Sequence, residues 1–429
     1  MQSPATGSSA NPHEQVWRFI AYYGMSEMAQ RVTRLATTVL VARLLTPIDL
    51  GVAAMAITCF ELIRVAANAG IGQAVIRATD ARLAGTCITA HWLVWLLCVA
   101  LASVQTLAGF GIAAWAGRPE LAAMIACLSG VYLLMPAALI QTYLLQRSNR
   151  HATIATTATV QAVADNVLTI VLALAGFGAW AIVLPKLLTC PIWAIMMRRA
   201  QSWSPEADAT PVPVHEIVRY ALPVLGAELL TAARLQLDKV LVGAMLGVEA
   251  LGIYYFVFNA GIGLSLSLTG ALSNSLYPHF AAVSAEPHAL LARLDQGLIR
   301  KAMPIAAIVA LQAVLAPLYV PVLFGAKWQA SAWLVAVLCA SAATKLFADA
   351  GAQALRAAGA TRLELAGTLT ITIVSLIGLA FGLILDLATG VVVLSLVSAA
   401  AQLRFAAVAR RTIANEAHEA GLKPLGACA

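Results

Sequence analysis

Ala302-Met-Pro-Ile-Ala-Ala-Ile-Val-Ala-Leu-Gln-Ala-Val-Leu-Ala-Pro-Leu-Tyr-Val-Pro-Val-Leu-Phe324 contains no Asp, Glu, Lys or Arg. A run of that length crosses a hydrocarbon core of roughly 30 Å as an α-helix. Working outward from it, comparable blocks follow one another along the whole chain. They lie near 19–42, 50–70, 87–110, 121–145, 153–174, 178–197, 217–243, 249–272, 302–324, 330–352, 363–385 and 388–408. The composition agrees, with 61% hydrophobic and 11% charged residues, where a soluble domain carries about 25% charged. The expected fold is an all-α membrane protein of about 12 transmembrane helices in two six-helix bundles.

Residues 198–216, with Pro205, Pro211 and Pro213 among Ser, Glu, Asp and Thr, read as the linker between the bundles. The expected division is therefore 1–197, a cytoplasmic linker 198–216, and 217–429. Apart from this segment and 277–300 the connections are short. Met1–Val16 lacks the basic start and short apolar core of a secretory signal, so the first span is expected to stay as a helix.

The basic residues set the orientation. With the N-terminus inside, 17 Lys and Arg fall on cytoplasmic segments and three, Arg43, Arg118 and Lys327, on the opposite side. Both termini are then cytoplasmic. The net charge of +7 is accounted for at the anionic cytoplasmic leaflet, and no nucleic-acid partner is called for.

A shift of 201 residues lays Leu45-Thr-Pro-Ile-Asp-Leu-Gly51 on Leu246-Gly-Val-Glu-Ala-Leu-Gly252. In both, an acidic turn joins two spans and Leu-Gly opens the second. Six spans per half makes the repeats parallel, an arrangement in which transporters place substrate between the halves.

Several spans carry charge. Glu27, Arg31 and Arg34, at i, i+4 and i+7, share one helix face. Glu61 and Arg64 are spaced i, i+3; Arg234 and Asp238, and Lys345 and Asp349, are spaced i, i+4. Asp165, Lys186, Glu228 and Lys239 complete the set. A charge at a helix centre costs about 2.5–3.5 kcal/mol on insertion scales. These side chains must therefore pair, face a wet cavity, or snorkel, as Lys239 is expected to do. Local spacing pairs Glu27 with Arg31, Glu61 with Arg64, Arg234 with Asp238 and Lys345 with Asp349. It leaves Arg34 and Lys186 as cations awaiting an anion. Arg31, Arg34, Arg64, Lys186, Arg234 and Lys345 are accordingly the candidate substrate cations, suited to a diphosphate head group. Glu27, Asp165, Glu228, Asp238 and Asp349 are the candidate pairing or coupling acids, with H+ or Na+ as the coupling ion.

No cytoplasmic loop has room for a nucleotide-binding domain, and no G-x-x-x-x-G-K-[ST] occurs, so ATP is not expected to drive the protein directly. The seven His are scattered and the seven Cys form no C-x-x-C, so no metal or other cofactor is expected. His91, beside Trp92, reads as a membrane-interface residue. The expected outer loops are a few residues long, which argues for transport rather than catalysis.

Val41-Ala-Arg-Leu-Leu-Thr-Pro-Ile-Asp-Leu-Gly51 resembles the link after the first span of polysaccharide flippases. Ala69-Gly-Ile-Gly-Gln-Ala-Val-Ile-Arg77, Leu237-Asp-Lys239, Leu251-Gly-Ile-Tyr-Tyr255, Leu276-Tyr-Pro278 and Leu355-Arg-Ala-Ala-Gly-Ala-Thr-Arg362 are similar to further segments of that family at the expected spacings. The resemblance is to Wzx-type exporters, in the superfamily that also holds MATE multidrug exporters and the lipid II flippase. It implies a V-shaped, MATE-like transporter with alternating access in the bacterial inner membrane. The implied cargo is an undecaprenyl-diphosphate-linked oligosaccharide, moved to the periplasmic leaflet for exopolysaccharide, capsule or O-antigen assembly. Membrane lipids, a polymerase and export machinery are the expected partners. A cation-coupled multidrug antiporter is the alternative; it would need an acidic surplus, whereas six in-span acids stand against seven cations. A non-transporting scaffold is a third reading.

Overall fold

The computed structural model describes residues 30–67, 70–205, 209–263, 276–284 and 286–422. Among them no β-strand occurs. In chain order the helices are α1 (30–44), α2 (Pro47–Ala67), α3 (Ile71–Arg77), α4 (Asp80–Ala116), α5 (Glu120–Leu134), α6 (Pro136–Arg147), α7 (His151–Leu174), α8 (Trp180–Leu188) and α9 (Cys190–Ala200). There follow α10 (Val214–Ala260), α11 (276–281), α12 (Pro287–Gly297), α13 (Met303–Phe324), α14 (Ala332–Ala357), α15 (Thr361–Leu383) and α16 (Leu387–Leu422).

Among the described residues nine helical stretches are long and apolar enough to cross a membrane, or ten when the bent pair α5–α6 counts as one span. That pair turns by 53° where Pro136 interrupts it. α10 is two spans in one stretch, broken at Gly247, whose φ of 84° and ψ of −172° are non-helical. With α1 as the first, twelve spans result, and each predicted span has a helix. The part of the eighth beyond 263 lies outside the described residues. The 277–300 connection is not a plain loop. Its Leu290 and Leu294, one turn apart, are buried on α12, which packs against α14 and α16. α16 also continues 14 residues past the predicted end at 408.

The described residues pack as two compact units, 30–37 with Cys59–Leu230 and Thr38–Thr58 with 231–422. This grouping follows packing and not chain order, so α1, α2 and α10 each contribute to both. In the first unit, α4 and α5 form a hairpin through Gly117, whose φ of 63° closes the helix end. Its apolar interior holds a polar cluster. Fully buried Gln105 donates from Nε2 to the Ile125 carbonyl (3.0 Å), and the Tyr132 hydroxyl donates to Gln105 Oε1 (2.7 Å).

In the second unit α14 is the central helix, with Leu346, Leu355, Phe405, Leu294 and Phe280 in one core. Helix ends cap one another here. Lys327 Nζ donates to the carbonyls of Arg43 (2.9 Å) and Leu45 (2.6 Å), and Trp328 Nε1 to that of Ala42 (2.8 Å). In return Arg43 Nε donates to the Leu323 carbonyl at 2.6 Å, so each cation satisfies the other helix's orphan carbonyls.

The start of α2 shows what the Thr46-Pro-Ile-Asp49 motif is for. The Asp49 N–H donates to Thr46 Oγ1 (3.1 Å) and the Thr46 N–H to Asp49 Oδ2 (3.0 Å), a capping box with Pro47 at the first helical position. One turn on, α2 touches α10. A Cβ on Gly51 would lie 1.9 Å from the Val248 carbonyl oxygen, and one on Gly252 would lie 1.8 Å from that of Pro47. These four residues are two pairs related by the 201-residue shift, and the contact exchanges them as a local two-fold would.

Candidate functional site

Among the described residues, four cation–acid pairs form within the spans. On α2, Arg64 donates to Glu61 Oε2 from Nη2 (2.7 Å) and Nε (3.2 Å), with the guanidinium 5.9 Å from the centre of the Phe60 ring. On α14, Lys345 Nζ meets Asp349 Oδ2 at 2.5 Å. Both pairs are those the spacing predicts, because one helix turn brings the side chains together.

Two expectations are corrected. Lys186 is not a lone cation: from α8 its Nζ reaches Asp165 Oδ2 on α7 at 2.6 Å. The partners are 21 residues apart, so no local spacing could pair them. The second oxygen, Asp165 Oδ1, is buried with no hydrogen-bond partner among the described residues. Nor does Arg234 pair with Asp238. Arg234 is exposed and makes no ion pair among the described residues. Asp238 instead lies 3.2 Å from Lys239 Nζ and accepts from the Tyr254 hydroxyl at 2.8 Å.

Lys239 departs from its expected behaviour as well. It does not snorkel: it is buried, donates to the Leu235 carbonyl (3.0 Å), and stands 4.4 Å from the Phe258 ring centre. The Asp238–Lys239–Tyr254–Phe258 cluster is thus a site that spacing within one span did not reveal. Its sequence signals are an acid and a base at consecutive positions of an apolar block, and the family-like segments Leu237-Asp-Lys239 and Leu251-Gly-Ile-Tyr-Tyr255 that hold three of its four residues.

Beside the Asp165–Lys186 pair, α1 and α7 meet through polar groups. Gln30 Nε2 donates to Thr159 Oγ1 (2.7 Å), and Thr37 Oγ1 to the Asn166 carbonyl (3.3 Å). Arg31 is half-buried and Arg34 exposed on α1, and neither is without a partner. Glu228 is exposed on α10, and Glu27 lies outside the described residues.

In three of the four in-span pairs among the described residues the cation is the more accessible partner. Side-chain exposures are 35% for Lys186 against 15% for Asp165, 40% for Arg64 against 29% for Glu61, and 42% for Lys345 against 25% for Asp349. The acid is held inward and the ammonium or guanidinium turned toward its surroundings. A pair so arranged is neutral enough to insert and still presents donors to an incoming anion.

The architecture has solved counterparts. An inward-facing multidrug resistance MATE transporter of the MOP superfamily is 16% identical, with a TM-score of 0.66, over 90% of this chain and 95% of that one. The lipid II flippase MurJ, in an inward closed conformation, is 12% identical with a TM-score of 0.70, over 93% and 91%. A MOP-superfamily transporter from Pyrococcus furiosus, described by its reverse-polarity binding pocket, is 14% identical with a TM-score of 0.58, over 97% and 99%. No curated protein matches the chain. Fold and in-span pairs together define a multi-pass, all-helical membrane protein of MATE- and MurJ-like architecture.

Within that class the sequence is more specific. The model of the polysaccharide biosynthesis protein family matches residues 40–333, more than half the chain. The protein belongs to that family.

Proposed function

We propose that the protein is a flippase that moves undecaprenyl-diphosphate-linked oligosaccharide repeat units to the periplasmic leaflet for exopolysaccharide, capsule or O-antigen assembly. The observation that carries the reading is the outward-turned cation of the in-span pairs, in a chain of the polysaccharide biosynthesis family. A diphosphate offers each of Arg64, Lys186 and Lys345 a second acceptor besides its own carboxylate. Arg31, Arg34 and Arg234 are the remaining substrate cations of this proposal.

Asp165 serves as the coupling acid. When phosphate engages Lys186, the carboxylate loses its counter-ion while one oxygen is already buried without a donor. Binding H+ or Na+ relieves that charge. Glu27, Glu228, Asp238 and Asp349 are its alternatives. The flippase sits in the inner membrane with both termini cytoplasmic and supplies a polymerase and export machinery.

The test is deletion of the gene in its source bacterium. Lipid-linked repeat units should accumulate facing the cytoplasm, and surface polysaccharide should be lost without a change in drug resistance. Normal polysaccharide with new drug sensitivity would replace this reading with the multidrug antiporter.

A further inference from the structure

The junction of α12 and α13 gathers cations that form no ion pair with an acid among the described residues. Leu298–Ala302 is a single π-helical turn between them, a form that recurs at functional positions. It carries Arg300 and Lys301, and neither makes an ion pair among the described residues. From α12, Arg293 Nη1 donates to the His279 carbonyl at 2.7 Å. The His279 imidazole is pushed below its ordinary value by desolvation and then by Lys301 and Arg293, so both cations lie within electrostatic reach of one ring.

The acids of this segment are engaged or remote. Asp295 takes two hydrogen bonds from Arg410, at 2.7 and 2.9 Å. Glu286 is exposed at the opposite end of α12. Beside the cations, Ile299 and Met303 are 61% and 53% exposed. Exposed aliphatic side chains interleaved with cations make a surface suited to the hydrocarbon–headgroup boundary. Three cations, with Asp295 of the same segment already tied to Arg410, suit two negative charges better than one.

We propose that Arg293, Arg300 and Lys301 form a binding site for a lipid head group bearing two phosphates, approached from the bilayer. Cardiolipin and a polyprenyl diphosphate share that chemistry. The site is separate from the in-span pairs and does not rest on the flippase reading.

The test uses the purified full chain in detergent, titrated by native mass spectrometry with cardiolipin, undecaprenyl diphosphate and phosphatidylethanolamine. R300Q/K301Q should weaken binding of a diphosphate lipid about 30-fold, from two lost cations. R300K/K301R should bind as the parent chain does, and phosphatidylethanolamine should not bind there in any variant. Loss confined to cardiolipin assigns the site to bulk lipid; loss of undecaprenyl diphosphate assigns it to the carrier. Either supports the site. R404Q/R411Q removes two exposed cations of α16 as a control for general surface charge. The proposal is overturned if R300Q/K301Q, melting as the parent does, binds both lipids normally. It is equally overturned if R404Q/R411Q weakens them as much, or if R300K/K301R fails to bind. Should R300Q/K301Q not fold, R300Q and K301Q singly, each expected to lose about five-fold, decide the matter.

Discussion

Gly51→Ala and Gly252→Ala should each destabilise the protein, and the two together should cost no more than either alone. The added methyls would lie 1.9 Å from the Val248 oxygen and 1.8 Å from the Pro47 oxygen. Comfortable carbon–oxygen contact begins near 3.3 Å, so α2 and α10 must part by roughly 1.5 Å at the crossing. The obstacles are backbone carbonyls, which cannot swing away as a side chain would. Overpacking of this kind costs about 3 kcal/mol. Replacing Gly within a helix returns about 1 kcal/mol, leaving about 2 kcal/mol lost per substitution. Because both clashes lie at one crossing, a single separation relieves both. One separation at about 3 kcal/mol less about 2 kcal/mol for two replaced glycines leaves about 1 kcal/mol lost, so the double variant should melt at or slightly above the singles, a non-additivity of about 3 kcal/mol. The assay is thermal unfolding of purified protein, followed by tryptophan fluorescence. Gly111→Ala, where nothing lies within 4 Å of the new methyl, is the control and should be neutral or slightly stabilising. Singles that melt at or above the parent, or a double that loses the full sum, would refute the reciprocal crossing.

Three further outcomes follow from the packing. Lys186→Met should lower stability by about 1–3 kcal/mol, less than a fully buried pair would because Lys186 is partly exposed. Adding Asp165→Asn should restore the melting temperature but not polysaccharide export, and recovery of export would reduce the pair to a structural role. Trp328→Ala should cost about 3–5 kcal/mol, since this buried ring stacks on Phe256 at 3.9 Å. Trp328→Phe should cost nearer 1 kcal/mol for the lost bond to Ala42, read by the same melts. Tyr132→Phe should cost about 1–3 kcal/mol by leaving buried Gln105 Oε1 without a donor, and Tyr132→Phe with Gln105→Leu should melt higher than Tyr132→Phe alone.

The sequence by itself determined the spans, the all-helical class and the pairs closed within one turn. Twenty apolar residues in lipid have only the helix to satisfy their backbone, and i, i+3 or i, i+4 neighbours meet in any helix. Glu61–Arg64 and Lys345–Asp349 are therefore legible from spacing alone. The 201-residue shift was legible too, since Leu50-Gly51 and Leu251-Gly252 keep the small residue at the crossing. Tertiary structure alone decided what joins across helices. Lys186 chose Asp165 on α7, Asp238 took Lys239 and Tyr254 in place of Arg234, and Trp328 capped α1 from 286 residues away. Ion pairing and capping depend on distance in space, and a linear pattern carries distance only as far as one helix extends.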